Sequence, residues 1–68
     1  MRYTEFREAI RLDLAANPDG FTWKELRDRN QLPYIRPCPT WTRCLEKEVG
    51  LKRIKKEGMG NQLVWLLE

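Results

Sequence analysis

The chain contains no histidine and no serine. Those two absences remove every Ser-His and Cys-His catalytic arrangement at once. Cysteine is scarce as well: Cys38 and Cys44 are the only thiols, and without a histidine two thiols cannot complete a four-ligand zinc site within one chain. No metal or other cofactor is expected. The two cysteines flank CPTWTRC across a predicted helix start. Six helical residues rise about 9 Å, beyond the roughly 7 Å limit between Cα atoms for a disulfide, so free thiols in a reducing compartment are expected. Long apolar runs are missing too. The longest, LVWLL, has five residues, against the roughly 20 needed to span a bilayer. The N-terminal MRYTEFREAIRLDLAAN carries acids and no continuous apolar segment, so no secretory leader is expected. Together these features predict a cytoplasmic protein without a membrane partner.

What the chain does have is enough apolar bulk for one core. Its 68 residues are 41% hydrophobic and 34% charged, with three Trp, two Tyr and two Phe, and its mean hydropathy is -0.71. This composition predicts a single folded domain over residues 1–68, with no room for a second domain or a deep substrate cavity. No carboxylate pair, general base or nucleophile is arranged near another, so no enzymatic activity is expected.

Charge is unevenly distributed. The net charge is +3. Residues 1–34 carry six cations and six anions, whereas residues 35–68 carry seven cations (Arg36, Arg43, Lys47, Lys52, Arg53, Lys55 and Lys56) against Glu46, Glu48, Glu57 and Glu68. The whole surplus therefore lies in the second half. Such asymmetry suggests a polyanionic partner, while the plain alternative is a solvated charged face.

Apolar spacing divides the chain into elements. Tyr3, Phe6, Ile10 and Leu14 recur at three and four residues and predict a first helix over about 4–16, capped by Thr4 and stopped by NPDG at 17–20. Leu12 falls on its opposite face, either as a scattered surface leucine or as a contact with a partner or with the C-terminal strand. Thr22 and Glu25 form a capping box that opens a second helix over about 22–30, in which Trp23 and Leu26 share a face and Leu32 closes the segment. LPYIRPCP holds three prolines, which neither a helix nor a central strand tolerates, and reads as an ordered loop. A third helix over about 39–49 opens at Pro39 or Thr40 and stops at Gly50. Its Trp41, Cys44, Leu45 and Val49 cluster inward, while positions at 100° intervals put Thr40, Arg43, Glu46 and Lys47 outward. LKRIKK and QLVWLL flank the glycine-containing EGMGN and read as a β-hairpin over about 51–67, held to the helices by Leu51, Ile54 and part of LVWLL, with the cations projecting. The three tryptophans are expected in the core.

In the order helix, strand, helix, helix, strand, strand, the chain resembles the winged helix-turn-helix family from about Thr4 to Leu67. The resemblance is carried by GFTWKEL, as first strand into second helix, and by EVGLKRIKKEGMGNQLVWLL, as helix end into wing. It implies an α+β fold in which the third helix enters the major groove of double-stranded DNA and the hairpin wing touches the adjacent backbone or minor groove. Carried onto this chain, Arg43 and Lys47 would reach the groove, and Thr40 and Thr42 in the first turn would donate to phosphates or bases. Lys52, Arg53, Lys55 and Lys56 would supply the wing contacts, and Arg36 a further phosphate contact. A transcription regulator or accessory DNA-binding factor is the implied function. The alternative is a protein-interaction winged helix without direct DNA contact, for which the Pro-rich loop, the neutral third helix with Glu46 and Glu48, and Leu12 speak.

Overall fold

The computed structural model of the protein describes residues 1–58, 60 and 62–67. Three helices precede a hairpin: α1 (Tyr3–Ala16), β1 (Phe21–Thr22), α2 (Trp23–Asn30), α3 (Pro39–Glu48), β2 (Leu51–Lys55) and β3 (Leu63–Leu67). The strands form one antiparallel sheet in the order β1-β3-β2. This is an α+β architecture. Of the expected connection at 57–61, Met59 and Asn61 lie outside the described residues.

Helix α1 buries Phe6, Ile10 and Leu14, which follow one another at four-residue intervals. Its N-cap is Arg2, without a side-chain cap, so Thr4 is a helical residue and not the cap its type suggests. The helix starts earlier because Tyr3 already belongs to the buried stripe and packs edge-on against Trp41, with ring centroids 5.6 Å apart. Leu12 is 59% exposed and takes no part in the core.

The turn after α1 delivers β1 to the sheet. Asn17 Nδ2 donates to the Gly20 carbonyl at 2.9 Å, and Gly20 N–H donates back to the Asn17 carbonyl at 2.9 Å. Gly20 adopts φ +83°, and a Cβ there would lie 2.3 Å from the Trp65 carbonyl oxygen and 2.8 Å from Val64 Cγ1. Only a residue without a side chain lets the backbone pass this close over β3. Thr22 then ends β1 and caps α2 in one step: Thr22 Oγ1 accepts from Glu25 N–H at 3.2 Å, and Glu25 Oε1 accepts from Thr22 N–H at 2.9 Å. At the far end of α2, Gln31 turns into the left-handed region at φ 53° and Leu32 N–H donates back to the Arg27 carbonyl at 3.0 Å. The reversal drops Leu32 into the core.

The core gathers Phe6, Ile10, Leu14, Leu26, Leu32, Leu45, Leu51 and Trp65, with Trp23, Trp41 and Tyr34 half-buried against it. Phe6 sits 5.1 Å from Trp41 and 6.2 Å from Trp23, centroid to centroid, so one ring joins the aromatic residues of α2 and α3. Leu51 reaches this core, but Ile54, 38% exposed, does not belong to it. The two are three residues apart on one strand, and an odd separation puts them on opposite faces. The expected packing of Ile54 on the helices is thus corrected by strand period.

A polar tie fastens α1 to α2. Asp13 accepts from Arg29 Nε at 3.1 Å and from Asn30 Nδ2 at 2.8 Å, and the same Arg29 guanidinium lies over the Phe21 ring at 4.5 Å. The hydrogen bond from Arg29, helped by that from Asn30, holds the Asp13 carboxyl below its ordinary value against the opposing effect of burial.

Two measurements check this account. Gly20→Ala should destabilise the fold by about 2–4 kcal/mol, from backbone strain plus the clash on β3, read as a lowered urea midpoint. Because the folded Asp13 carboxyl titrates below its unfolded value, its tie stabilises the fold above the unfolded value of about 3.9 and is lost as pH falls through the lower folded value. Asp13→Asn should therefore lower stability at neutral pH and flatten the acid limb of the stability–pH profile; an unchanged acid limb would show that the tie is not what titrates.

Candidate nucleic-acid interface

Helix α3 begins at Pro39, with Cys38 as N-cap and no side-chain capping bond. A proline in the first turn has no N–H to leave unsatisfied, which is why the helix starts there. Thr40, Arg43, Glu46 and Lys47 are exposed, and Leu45 is fully buried, so the helix presents the outward face that its spacing predicts. Cys38 is an exposed thiol and Cys44 a half-buried one.

Thr42 is the exception among the expected contact residues. It is 3% exposed, and its Oγ1 donates to the Cys38 carbonyl at 2.8 Å. Thr42 stands three residues before Leu45 and seven before Val49, the interval of the buried stripe, so its hydroxyl turns back onto its own helix. It cannot meet a nucleic acid from there. The spacing to Leu45 and Val49 was the signal that placed it inside.

Both acids of α3 are answered by cations from other elements. Arg7 of α1 donates to Glu48 at 2.6 Å, and Arg53 of β2 donates to Glu46 at 3.2 Å. Arg43 and Lys47 make no ion pair among the described residues. Although α3 is neutral as a segment, its outward face therefore carries two exposed cations beside a glutamate already paired with Arg53. The Glu46–Arg53 pair also shows that this face borders the hairpin.

The hairpin cations do not form one patch. In β2, Arg53 stands opposite Trp65 and Lys55 opposite Leu63, on the face that turns toward the helices, while Lys52 stands opposite Leu66 on the other face. Lys52, Arg53 and Lys55 are all exposed, but the strand alternation divides them. Arg53 is additionally held over the Trp65 ring at 5.9 Å. Lys56 reaches back to donate to the Asp19 carbonyl at 2.9 Å, next to the turn that carries Gly20. Arg36, in the loop 31–38, is exposed.

Missed by the sequence is an aromatic cleft beside this surface. Trp23 and Trp65 lie 5.2 Å apart, centroid to centroid, at an interplanar angle of 32°. Trp23 Nε1 donates to the Ile35 carbonyl at 3.0 Å, and Arg27 donates to the same oxygen at 3.3 Å, so the Pro-rich loop is pinned over the start of α2. The two tryptophans are more than forty residues apart in the chain, and no local spacing announces their meeting.

Among the described residues, no group of three or more Cys, Asp or Glu is placed to hold a metal ion, and no helix is long and apolar enough to cross a membrane. Compared with family models, curated proteins and solved structures, the chain matches none.

If Thr42 is a structural residue, Thr42→Val should change stability by no more than about 1 kcal/mol, because it keeps the shape and removes a hydroxyl bonded to the carbonyl of the N-cap, Cys38. It should leave any nucleic-acid affinity unchanged; a clear loss of affinity in a folded variant would place the hydroxyl at the interface after all.

Proposed function

We propose that the protein is a small winged helix-turn-helix DNA-binding protein, a transcription regulator or accessory DNA-binding factor, which docks through α3 and the basic hairpin. The observation that carries this reading is the charge arrangement on α3. Glu46 and Glu48 are each paired with an arginine from elsewhere, and Arg43 and Lys47 are left exposed on a face that continues into the hairpin. The element order and the sheet order β1-β3-β2 suit a helix and a wing presented side by side.

In this reading Arg43 and Lys47, four residues apart, enter the major groove, with Arg43 the better base reader because its fork can pair two acceptors on guanine. Thr40, exposed in the first turn of α3, donates to a phosphate at the helix N-terminus. Lys52, Lys55 and Arg36 add phosphate contacts from the hairpin and the loop. Arg53 and Lys56 contribute after exchanging their present acceptors, the Glu46 carboxylate and the Asp19 carbonyl. Thr42 has no part in it. One module of this kind buries about 600–1,000 Å², so strong sequence selection would require a second copy or a larger assembly.

A protein partner is the second reading, and Ile35 favours it. This residue is 79% exposed at the Pro-rich loop, where an apolar side chain gains most by being covered.

Binding to a mixed-sequence duplex, followed by amide shifts as salt is raised from about 50 to about 200 mM, separates the two. The DNA reading expects shifts across Thr40, Arg43 and Lys47 and across β2, with affinity falling steeply with salt. Arg43→Gln and Lys47→Gln should each lower the logarithmic salt slope by about 1, and Arg43→Gln should cost about 1–3 kcal/mol on a preferred site. Absence of localised shifts at low salt would sink it and direct attention to a partner covering Ile35.

A further inference from the structure

We propose that the cleft between the start of α2, the Pro-rich loop and the helix-facing side of the hairpin binds a small aromatic carboxylate. The cleft has a volume of about 420 Å³, within the range of small-ligand sites. It is open to solvent and shallow, which is how a chain with no room for a deep cavity still offers one.

Its walls and its rim have different chemistry. Trp23, Trp65 and Leu63 form the apolar wall: Trp65 belongs to the core, while Trp23 and Leu63 are half-buried. Lys24, Arg27 and Arg53 stand around it, and none of the described residues that line the cleft is acidic. Trp23 offers the accessible indole ring, backed by Trp65, which is 2% exposed; such a ring favours a flat apolar body, since ring faces pack best against other rings. Three cations favour an anion and repel a cationic ligand. A neutral aromatic molecule would satisfy the wall and leave the rim unmet.

The cations are available to different degrees. Lys24 has no ion-pair partner among the described residues. Arg27 is occupied by the Ile35 carbonyl at 3.3 Å and lies 3.6 Å from the Asp28 carboxylate, so it chiefly shapes the site. Arg53 is held by Glu46 at 3.2 Å in a surface pair whose side chains are 36% and 43% exposed. Such pairs are weak, and an incoming carboxylate beside Trp65 can replace that of Glu46. Lys24 and Arg53 thus approach the ligand anion from α2 and from β2, across the aromatic wall. No bond is made or broken in the process; Arg53 is shared with the contacts proposed for DNA, and the other lining residues take no part in them.

The test uses 2-naphthoate as probe and 2-naphthylmethanol as its neutral counterpart, titrated into the full chain and followed by tryptophan emission and amide shifts. Expected are saturable shifts at Trp23, including its indole N–H, and at Lys24, Leu63 and Trp65, with the anion bound about tenfold more tightly than the alcohol. Lys24→Gln, a surface change that orphans no ion-pair partner among the described residues, should weaken 2-naphthoate by about three- to tenfold and leave 2-naphthylmethanol unaffected; Arg53→Gln should act in the same direction. Each variant's unliganded amide spectrum reports whether the fold is kept. Equal binding of the two probes would overturn the proposal, as would shifts scattered over the surface, no saturation by about 10 mM, or indifference of folded Lys24→Gln and Arg53→Gln to the anion.

Discussion

Strand β3 is the constraint on which the rest of the structure depends. It is the only described strand with a neighbour on both sides, pairing with β1 through Phe21 and Thr22 and with β2 through five residues. At its centre Trp65 stands in one row across the sheet, between Phe21 and Arg53. That row grades from apolar to charged. Phe21 carries the Arg29 guanidinium over its ring, Trp65 reaches the core, and Arg53 extends past Trp65 to Glu46 of α3. The sheet therefore does more than close the core: its middle row links α2 on one side to α3 on the other. Gly20 makes this possible by letting the chain cross β3 at a distance no side chain permits.

The second organising feature is the way charges are exchanged between elements. Asp13 of α1 takes Arg29 and Asn30 of α2, Arg7 of α1 takes Glu48 of α3, and Arg53 of β2 takes Glu46 of α3. Individually, exposed pairs of this kind contribute at most about 1 kcal/mol. Their larger effect is on where uncompensated charge remains. By consuming the acids of α3, they leave Arg43 and Lys47 as the net charge of its outward face. A segment that is neutral in sequence becomes a basic surface once folded.

Much of this was legible in the sequence wherever the signal was local. The capping box at Thr22 and Glu25, the buried spacing of α1, the proline start of α3 and the two strands of the hairpin each depend on residues a few positions apart, and each is found where expected. The errors share a cause: a side chain was assigned by type where position decides. Thr4 looks like a cap but follows a half-buried tyrosine packed against the core. Thr42 looks like a donor but shares the interval of Leu45 and Val49. Ile54 looks like core but lies an odd number of residues from Leu51. What no local pattern carries is the meeting of distant segments. Trp23 beside Trp65, and Arg7 beside Glu48, arise from the packing of whole elements, so the cleft and the pairing of the α3 acids emerge only with the tertiary structure.

The brevity of β1 also bears on the order in which the molecule assembles. Pairing β2 with β3 closes a short loop, whereas pairing β1 with β3 closes one that includes α2, the Pro-rich loop, α3 and β2, and the entropy lost on closure grows with loop length. Two residues of ladder return little against that loss. The hairpin is thus the cheaper nucleus, and the β1 seam is secured by what flanks it: the Gly20 crossing on one side and the capped start of α2 on the other. The same seam is the natural place for the folded chain to part first, separating the hairpin from α2 while each keeps its own internal bonds.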